Sequence, residues 1–220
     1  ENEAVLIGSG VSGQADILAG QGASTVYLGD DPSLEIYNTE QYTALVSDAI
    51  LQSGATQVWL SSSELGRDLT PRVAARQSVG ALSDVTQLEI SGDEITAYRP
   101  CMSTKVIQKC KFSKDGLRVI SIRSGFFTAD ETSPATAKKV SLSIPEGHSK
   151  LKVKEVQVEV SDEVELNEAR IVVSAGRGVG GTEGCDFVKP LAADLGAAFG
   201  SSRAVCDAGW LPHKHQVGQT

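Results

Sequence analysis

The sequence predicts an α/β protein. It has a first domain on a mainly parallel sheet with an added β-rich section, then an incomplete second α/β unit of the dinucleotide-binding type. Three observations carry this expectation. Short apolar strands alternate with helical patterns over the first hundred residues, and period-two β-rich runs follow from Glu94 to Val160. After the polar, acidic stretch from Asp162 to Glu168, a strand, a glycine-rich loop and a helix begin the pattern again. The domains are therefore expected at 1–168 and 169–220.

In order, Ala4–Ile7 reads as an apolar strand, and residues 8–13 as the turn into a helix. Thr25–Leu28 is a second strand, closed by Gly29-Asp30-Asp31-Pro32. Asn38 with Gln41 three residues later forms a helix-capping pair. Tyr42, Leu45, Val46, Ala49 and Ile50 then mark one helical face, and Gly54 is the stop. Gln57–Leu60 is a third strand. Thr70-Pro71 suits an N-cap followed by proline at the first helical position, opening a helix that Gly80 ends. Strands Leu117–Ile122, Lys139–Ile144 and Leu151–Val160, with a turn at Lys114-Asp115-Gly116, suggest an antiparallel section added to the same sheet. The second unit offers strand Arg170–Ser174 and a helix from about Asp186 to Phe199. Its fifty or so residues are too few for a complete α/β domain. The first residues lack an initiator Met, and the last close no strand or helix, so the sequence reads as an interior piece of a longer protein.

Composition excludes several classes. No apolar run approaches the roughly 18 residues of a membrane span, and residues 1–7 show no targeting signal. A net charge of −8, from 28 acidic and 20 basic side chains, opposes binding to nucleic acid. The basic residues concentrate between 99 and 160, where Lys150, Lys152 and Lys154 alternate with apolar neighbours like the wet face of a strand. The cysteines (Cys101, Cys110, Cys185, Cys206) form no C-x-x-C pair, which points to reduced thiols in a cytosolic-type protein. No G-x-S-x-G, H-E-x-x-H or paired-carboxylate pattern supports hydrolysis. His213 and His215 could ligate a metal, but no third ligand lies nearby in sequence.

Two segments match G-x-G-x-x-G: Gly8/Gly10/Gly13 and Gly176/Gly178/Gly181. Such glycines let backbone amides approach a pyrophosphate at a helix N-terminus. For the first loop two readings stand. It binds a dinucleotide, with Asp30 or Asp31 holding a ribose, or it is a tight strand-to-helix turn without ligand. In the second loop Arg177 supplies a planar donor fork suited to phosphate or to a flavin carbonyl. The absence of a following Lys-Ser/Thr excludes a P-loop. The small residues, hydroxyls and arginine of Gly200-Ser201-Ser202-Arg203 also suit an anion or a planar heterocycle.

The run from Ala169 to Gly178, then Leu191 to Trp210, Pro212-His213, and Gln216-Val217-Gly218-Gln219-Thr220 resembles the FAD-binding half of electron transfer flavoprotein alpha subunits. Upstream, Asp30-Asp31-Pro32, residues 71–75 and Ser83-Asp84-Val85-Thr86 resemble that family's first domain. The resemblance implies an electron carrier rather than an enzyme. FAD would be held mainly by the second domain, with Arg177, Ser202, Arg203, Val217, Gly218, Gln219 and Thr220 on the cofactor-contacting positions. Arg203 would lie against the isoalloxazine ring and Thr220 near its N5 side. The first glycine loop becomes a decoy.

The resemblance also implies a heterodimer with an electron transfer flavoprotein beta subunit. Electrons would arrive from acyl-CoA or other dehydrogenases and leave to a quinone-linked or soluble acceptor. The setting would be the cytoplasm, or the mitochondrial matrix in a eukaryote. The family's first strand and the segments completing its flavin pocket lie outside these 220 residues, so the expectation is a well-folded first domain and weak FAD binding. Two alternatives remain at this stage: a nicotinamide-dependent oxidoreductase using the Gly8–Gly13 loop, and a cofactor-free fragment that docks a partner.

Overall fold

The structure is a computed structural model that describes residues 2–112, 116–128, 135–144, 150, 151, 153–156, 166 and 169–218. The chain divides into two compact units, Glu1–Glu155 and Val156–Thr220. Most of the acidic stretch in which a boundary at 168 was expected lies outside the described residues.

The first unit opens with β1 (Glu3–Gly8), α1 (Ala15–Gly20), β2 (Thr25–Asp30), α2 (Thr39–Ser53), β3 (Gln57–Ser61) and α3 (Glu64–Arg76). It continues through β4 (Ala81–Val85), β5 (Gln87–Ser91), β6 (Glu94–Cys101), β7 (Val106–Lys111), β8 (Arg118–Ile122) and β9 (Lys138–Ser141). Two parallel sheets result, ordered β1-β2-β9 and β3-β8-β4. Val26, Tyr27, Leu28 and Gly29 of β2 are all buried, as expected for a parallel strand covered on both faces.

Helix α2 follows its local signals closely. The Asn38 side chain accepts from the Glu40 and Gln41 amides, and Gly54 ends the helix at φ 66°. Tyr42, Leu45, Val46 and Ala49 turn inward and pack with Val73 of α3 and Val119 of β8. Burying that many apolar side chains, each worth roughly 1.5–3 kcal/mol, makes this the main core of the unit. Helix α3 departs from expectation. It begins at Glu64, where Ser63 accepts the Gly66 amide, and Pro71 sits inside it. The Thr70 hydroxyl bonds back to the Gly66 carbonyl at 2.6 Å. A serine cap two turns upstream outweighs the proline, whose lost amide costs only one rung of a 13-residue helix.

The β-rich section also differs. Antiparallel β5-β6-β7 form a sheet of their own, while β8 and β9 return to the parallel sheets. β7 exposes Lys109 and Lys111, and Lys111 pairs with Glu94 of β6. Leu151 and residues 153–156 lie in no strand. This segment instead holds to the start of α2, where the Lys150 amide donates to Glu40 at 2.6 Å. Residues 152 and 157–160 of that expected strand, and Lys114-Asp115 of the expected turn, fall outside the described residues.

The second unit comprises β10 (Val172–Ala175), α4 (Thr182–Asp194), β11 (Ala198–Ser201), α5 (Arg203–Asp207) and a 3-10 turn at His213–His215. β10 and β11 pair in parallel. The second helix therefore starts four residues earlier than expected and does not reach Phe199. Gly196, at φ 58°, ends it and returns the chain as β11. Ala175, Cys185, Phe199 and Val205 form the core between strands and helices.

Candidate functional site

The two glycine loops behave differently. In the first, Gly8 ends β1 and Gly10 takes φ 69°. The amides of Gly10 and Ser12 turn inward and donate to the Asp30 carboxylate at 2.6 and 2.9 Å, and the Ser12 hydroxyl donates to it as well. These hydrogen bonds, led by the Ser12 hydroxyl, hold the Asp30 carboxyl below the usual carboxylate range. The place where a pyrophosphate would sit is thus occupied by the side chain expected to hold the ribose. Asp31 is likewise engaged, accepting the Ser33 amide at 2.8 Å. The loop is a self-satisfied turn, and the nicotinamide reading loses its binding site.

The second loop is open. It leaves β10 through a 3-10 turn at Arg177–Val179, with Arg177 exposed, and enters α4 at Thr182. A Cβ built on Gly176, Gly178 or Gly181 would meet nothing within 4 Å. These glycines are not demanded by the packing of this chain; they leave backbone free for a ligand to approach. At Gly184, one turn into α4, a Cβ would instead strike the Val179 carbonyl. That close approach fixes the loop against the helix, whose first amides point toward the loop.

The other expected contacts gather at the same edge, the carboxyl ends of the parallel pair β10 and β11. The Ser202 amide donates to the Ala175 carbonyl at 3.0 Å, which joins the two strand ends. The Ser202 hydroxyl is buried, with no hydrogen-bond partner among the described residues. A buried hydroxyl left without a partner carries a desolvation cost of about 1–3 kcal/mol, which an incoming acceptor or donor would relieve. Gln216 bridges to Ser201 in parallel, and the Val217 amide donates to the Ser201 carbonyl at 2.8 Å. Gln216 and Val217 thus meet the end of β11 through a single isolated bridge. Val217 lies over Gly200, where a Cβ would overlap its side chain, and Gly218 needs its φ of 97°. Gln219 and Thr220 lie outside the described residues.

Arg203, placed by resemblance against the flavin ring, stands on the first turn of α5. Its Nε donates to Asp207 at 3.1 Å, and its side chain is 63% exposed. It is accessible at this edge, held by a carboxylate one turn away. His215 has a different place from the metal ligand considered in the sequence. Its Nδ1 lies 3.0 Å from the Phe199 carbonyl, and its ring packs at a tilt on Phe199. It anchors the segment carrying Val217 and Gly218, a positioning part that no sequence motif announces. Cys206 is buried, with Sγ 3.2 Å from the Ser201 hydroxyl and 3.5 Å from the Pro212 carbonyl. Among the described residues no cluster of three metal-ligating side chains occurs, and no helix is long and apolar enough to cross a membrane.

An open glycine loop, a helix N-terminus, an orphaned hydroxyl and an exposed arginine at one strand edge suit an anionic, planar cofactor. Comparison with known proteins agrees. Residues 2–146 match the electron transfer flavoprotein domain, and residues 165–220 match the electron transfer flavoprotein FAD-binding domain. The chain is 34% identical over 221 aligned residues to the electron transfer flavoprotein subunit alpha of Thermoanaerobacterium thermosaccharolyticum, covering 99% of this chain and 67% of that protein. It is 33% identical to the Bacillus subtilis subunit alpha, covering 98% and 66%. Against the mitochondrial subunit alpha of Dictyostelium discoideum it is 33% identical, covering 90% and 59%. The chain spans about two thirds of the length of the first two relatives, and with both of its segments matched in order it belongs to the electron transfer flavoprotein alpha-subunit family.

Proposed function

We propose that this chain serves an electron transfer flavoprotein as part of its alpha subunit. It would carry electrons on FAD from acyl-CoA or other dehydrogenases to a quinone-linked or soluble acceptor, in complex with a beta subunit. On this reading residues 1–168 form the first domain and residues 169–220 part of the FAD-binding domain. The setting is the cytoplasm, or the mitochondrial matrix in a eukaryote. The role is that of a carrier: FAD supplies the redox chemistry, and the chain binds, orients and tunes it.

Each residue then has a task. The amides of the Gly176–Gly181 loop and of the α4 N-terminus face the cofactor's phosphates, and Arg177 adds a fork of donors. Ser202 would give its hydroxyl to the cofactor, Val217 and Gly218 would form the adjoining wall, and the family resemblance assigns Gln219 and Thr220 to the same site. Arg203 places a positive charge beside the ring and so favours the reduced, negatively charged form over the oxidised one.

The observation that carries this reading is the buried Ser202 hydroxyl without a partner, set beside a glycine loop that the chain's own packing does not fill. The test is Ser202→Ala in the full-length heterodimer. Removing an orphaned hydroxyl should leave the apoprotein as stable as before or slightly more so. FAD binding should weaken about 5- to 10-fold, the worth of one hydrogen bond. Unchanged FAD affinity in a fluorescence titration would remove Ser202 from the site.

A further inference from the structure

In the second unit, one edge of β11 is covered partly by a side chain in place of a backbone amide. The amides of Ala198, at the start of β11, and Ser202, just past its end, donate to the carbonyls of Ile171 and Ala175 on the β10 side, each at 3.0 Å. Backbone groups alternate in direction along a strand, so the carbonyls of Phe199 and Ser201 face the other edge. Both are met there by the segment that leaves the 3-10 turn at His213–His215. Ser201 accepts the Val217 amide at 2.8 Å, and the Phe199 carbonyl lies 3.0 Å from His215 Nδ1. A carbonyl oxygen only accepts, so Nδ1 carries the hydrogen and donates it.

The imidazole therefore stands where the next amide of a ladder would stand. His215 and Val217, two residues apart on one segment, meet two carbonyls that are two residues apart on β11. One bond holds a segment at a point and lets it swing. Two bonds about 7 Å apart along a strand fix its direction as well. The ring steadies its own bond, because it is half-buried and packs on the buried Phe199 with centroids 6.1 Å apart. Gly200 completes the seat, since a Cβ there would overlap the Val217 side chain. His213, by contrast, is exposed, so the two histidines of the H-x-H pair differ in task.

We propose that His215 is a positioning residue of the flavin site. Its Nδ1–H holds the Phe199 carbonyl and so sets the direction in which Val217 and Gly218 leave β11. The inference rests on the flavin reading given above and adds to it a residue that acts through the backbone. What the position needs is a donor at the δ atom. Asparagine offers one, because its side-chain nitrogen stands as many bonds from the backbone as Nδ1 does. The glutamine nitrogen stands one bond farther out, and leucine has no donor.

Three variants of the full-length heterodimer, His215→Asn, His215→Gln and His215→Leu, separate the N–H from the ring. The Gln and Leu variants should bind FAD about 5- to 10-fold more weakly in a fluorescence titration, and the Asn variant should stay within about twofold of the unaltered protein. In the FAD-free heterodimer the Val217 amide should exchange with solvent about 5- to 10-fold faster in the Gln and Leu variants, and at the unaltered rate in the Asn variant. The amides of Ala198 and Ser202 should keep their protection in all three. Faster exchange there, equal to that at Val217, would mean that the unit loosens as a whole and would overturn the proposal. Unchanged FAD affinity in every variant would overturn it as well, and so would an equal loss in all three, which would assign the effect to the ring. An unaltered heterodimer that binds no FAD would defeat the flavin reading and this one together. Weakened binding in Ser202→Ala beside unchanged binding in His215→Gln would remove His215 alone. Should His215→Leu not fold, the contrast between Asn and Gln decides.

Discussion

The Asp30 carboxylate sits 2.6 Å from the Gly10 amide, so the first glycine loop already holds an anion, and that anion belongs to the protein. A sequence motif for dinucleotide binding has been turned into a cross-brace between the ends of β1 and β2.

The brace gives a pH signature. Hydrogen bonds from Ser12 and Gly10 lower the folded-state pKa of Asp30 below the ordinary 3.8. A depressed carboxylate contributes stability that is present above its unfolded value and lost as pH falls through the folded one. Asp30→Asn should therefore lower the urea midpoint near neutral pH. The gap between the two proteins should shrink as pH falls below 3.8. Neither Asp30→Asn nor Asp30→Ala should bind NAD at millimolar concentration; calorimetric binding by either variant would revive the nicotinamide reading.

The second loop predicts a contrast between two glycines. Gly176 has φ −99°, which alanine adopts freely, and its Cβ would meet nothing in the chain. Gly176→Ala should keep the thermal midpoint of the apoprotein while weakening FAD binding. Gly184→Ala would press a methyl against the Val179 carbonyl and should cost about 1–3 kcal/mol of stability. Equal losses of stability in both variants would show that the loop glycines serve folding rather than a ligand.

Arg203 and Asp207 predict opposite shifts of potential. Removing a positive charge near the ring should lower the flavin midpoint, and neutralising its carboxylate partner should raise it. The arginine is 63% exposed, so solvent screening sets the scale. At 4 Å and bulk-water dielectric a unit charge is worth about 1 kcal/mol. With about 59 mV for a tenfold one-electron change, the shift is a few tens of millivolts. Arg203→Ala and Asp207→Asn, followed by spectroelectrochemical titration of the full-length heterodimer, should move in opposite directions. Movement in the same direction, or none, would place Arg203 away from the ring.

What the sequence revealed was local. Asn38, Gln41 and Gly54 mark the ends of α2 because caps act within one turn. The fold class and the second glycine loop were legible for the same reason, since strand, loop and helix are contiguous there. Pro71 misled because Ser63 caps α3 from farther upstream than the proline suggests. β11 was hidden by its small residues, Ala198-Phe199-Gly200-Ser201, which read as the end of a helix until Gly196 turns the chain. The ligand-free reading of the first glycine loop agrees with the structure, but the bond from the Gly10 amide to Asp30 is not legible in the sequence, because it spans 20 residues and depends on the turn itself. The orphaned Ser202 hydroxyl and the anchoring by His215 depend on burial and tertiary contact, which no spacing encodes.

The last prediction concerns Asp84, which takes φ 61°, a left-handed conformation that costs most side chains roughly 1–2 kcal/mol. It lies where the pairing of β4 with β8 shifts register between Leu82 and Val85. Its carboxylate receives Arg123 through two nitrogens, Nε at 2.9 Å and Nη2, and its amide donates to the Ser121 hydroxyl at 3.1 Å. Hydrogen bonding from Arg123 lowers the Asp84 pKa, so the pair contributes stability above the ordinary 3.8 that is lost as pH falls below it. Three substitutions separate the backbone from the charge. Asn tolerates the left-handed region and still accepts a bond from Arg123, so Asp84→Asn should be the mildest. Asp84→Gly keeps the backbone angle but loses both bonds. Asp84→Ala loses both bonds and is held in the unfavourable region, so it should be the worst, by about 1 kcal/mol relative to Gly. Denaturant midpoints at pH 7 should follow the order Asp, Asn, Gly, Ala, and the Asp–Asn gap should narrow on acidification. If Ala proved as stable as Gly, the bend at Asp84 would relax without the arginine. The ion pair would then be what holds the conformation.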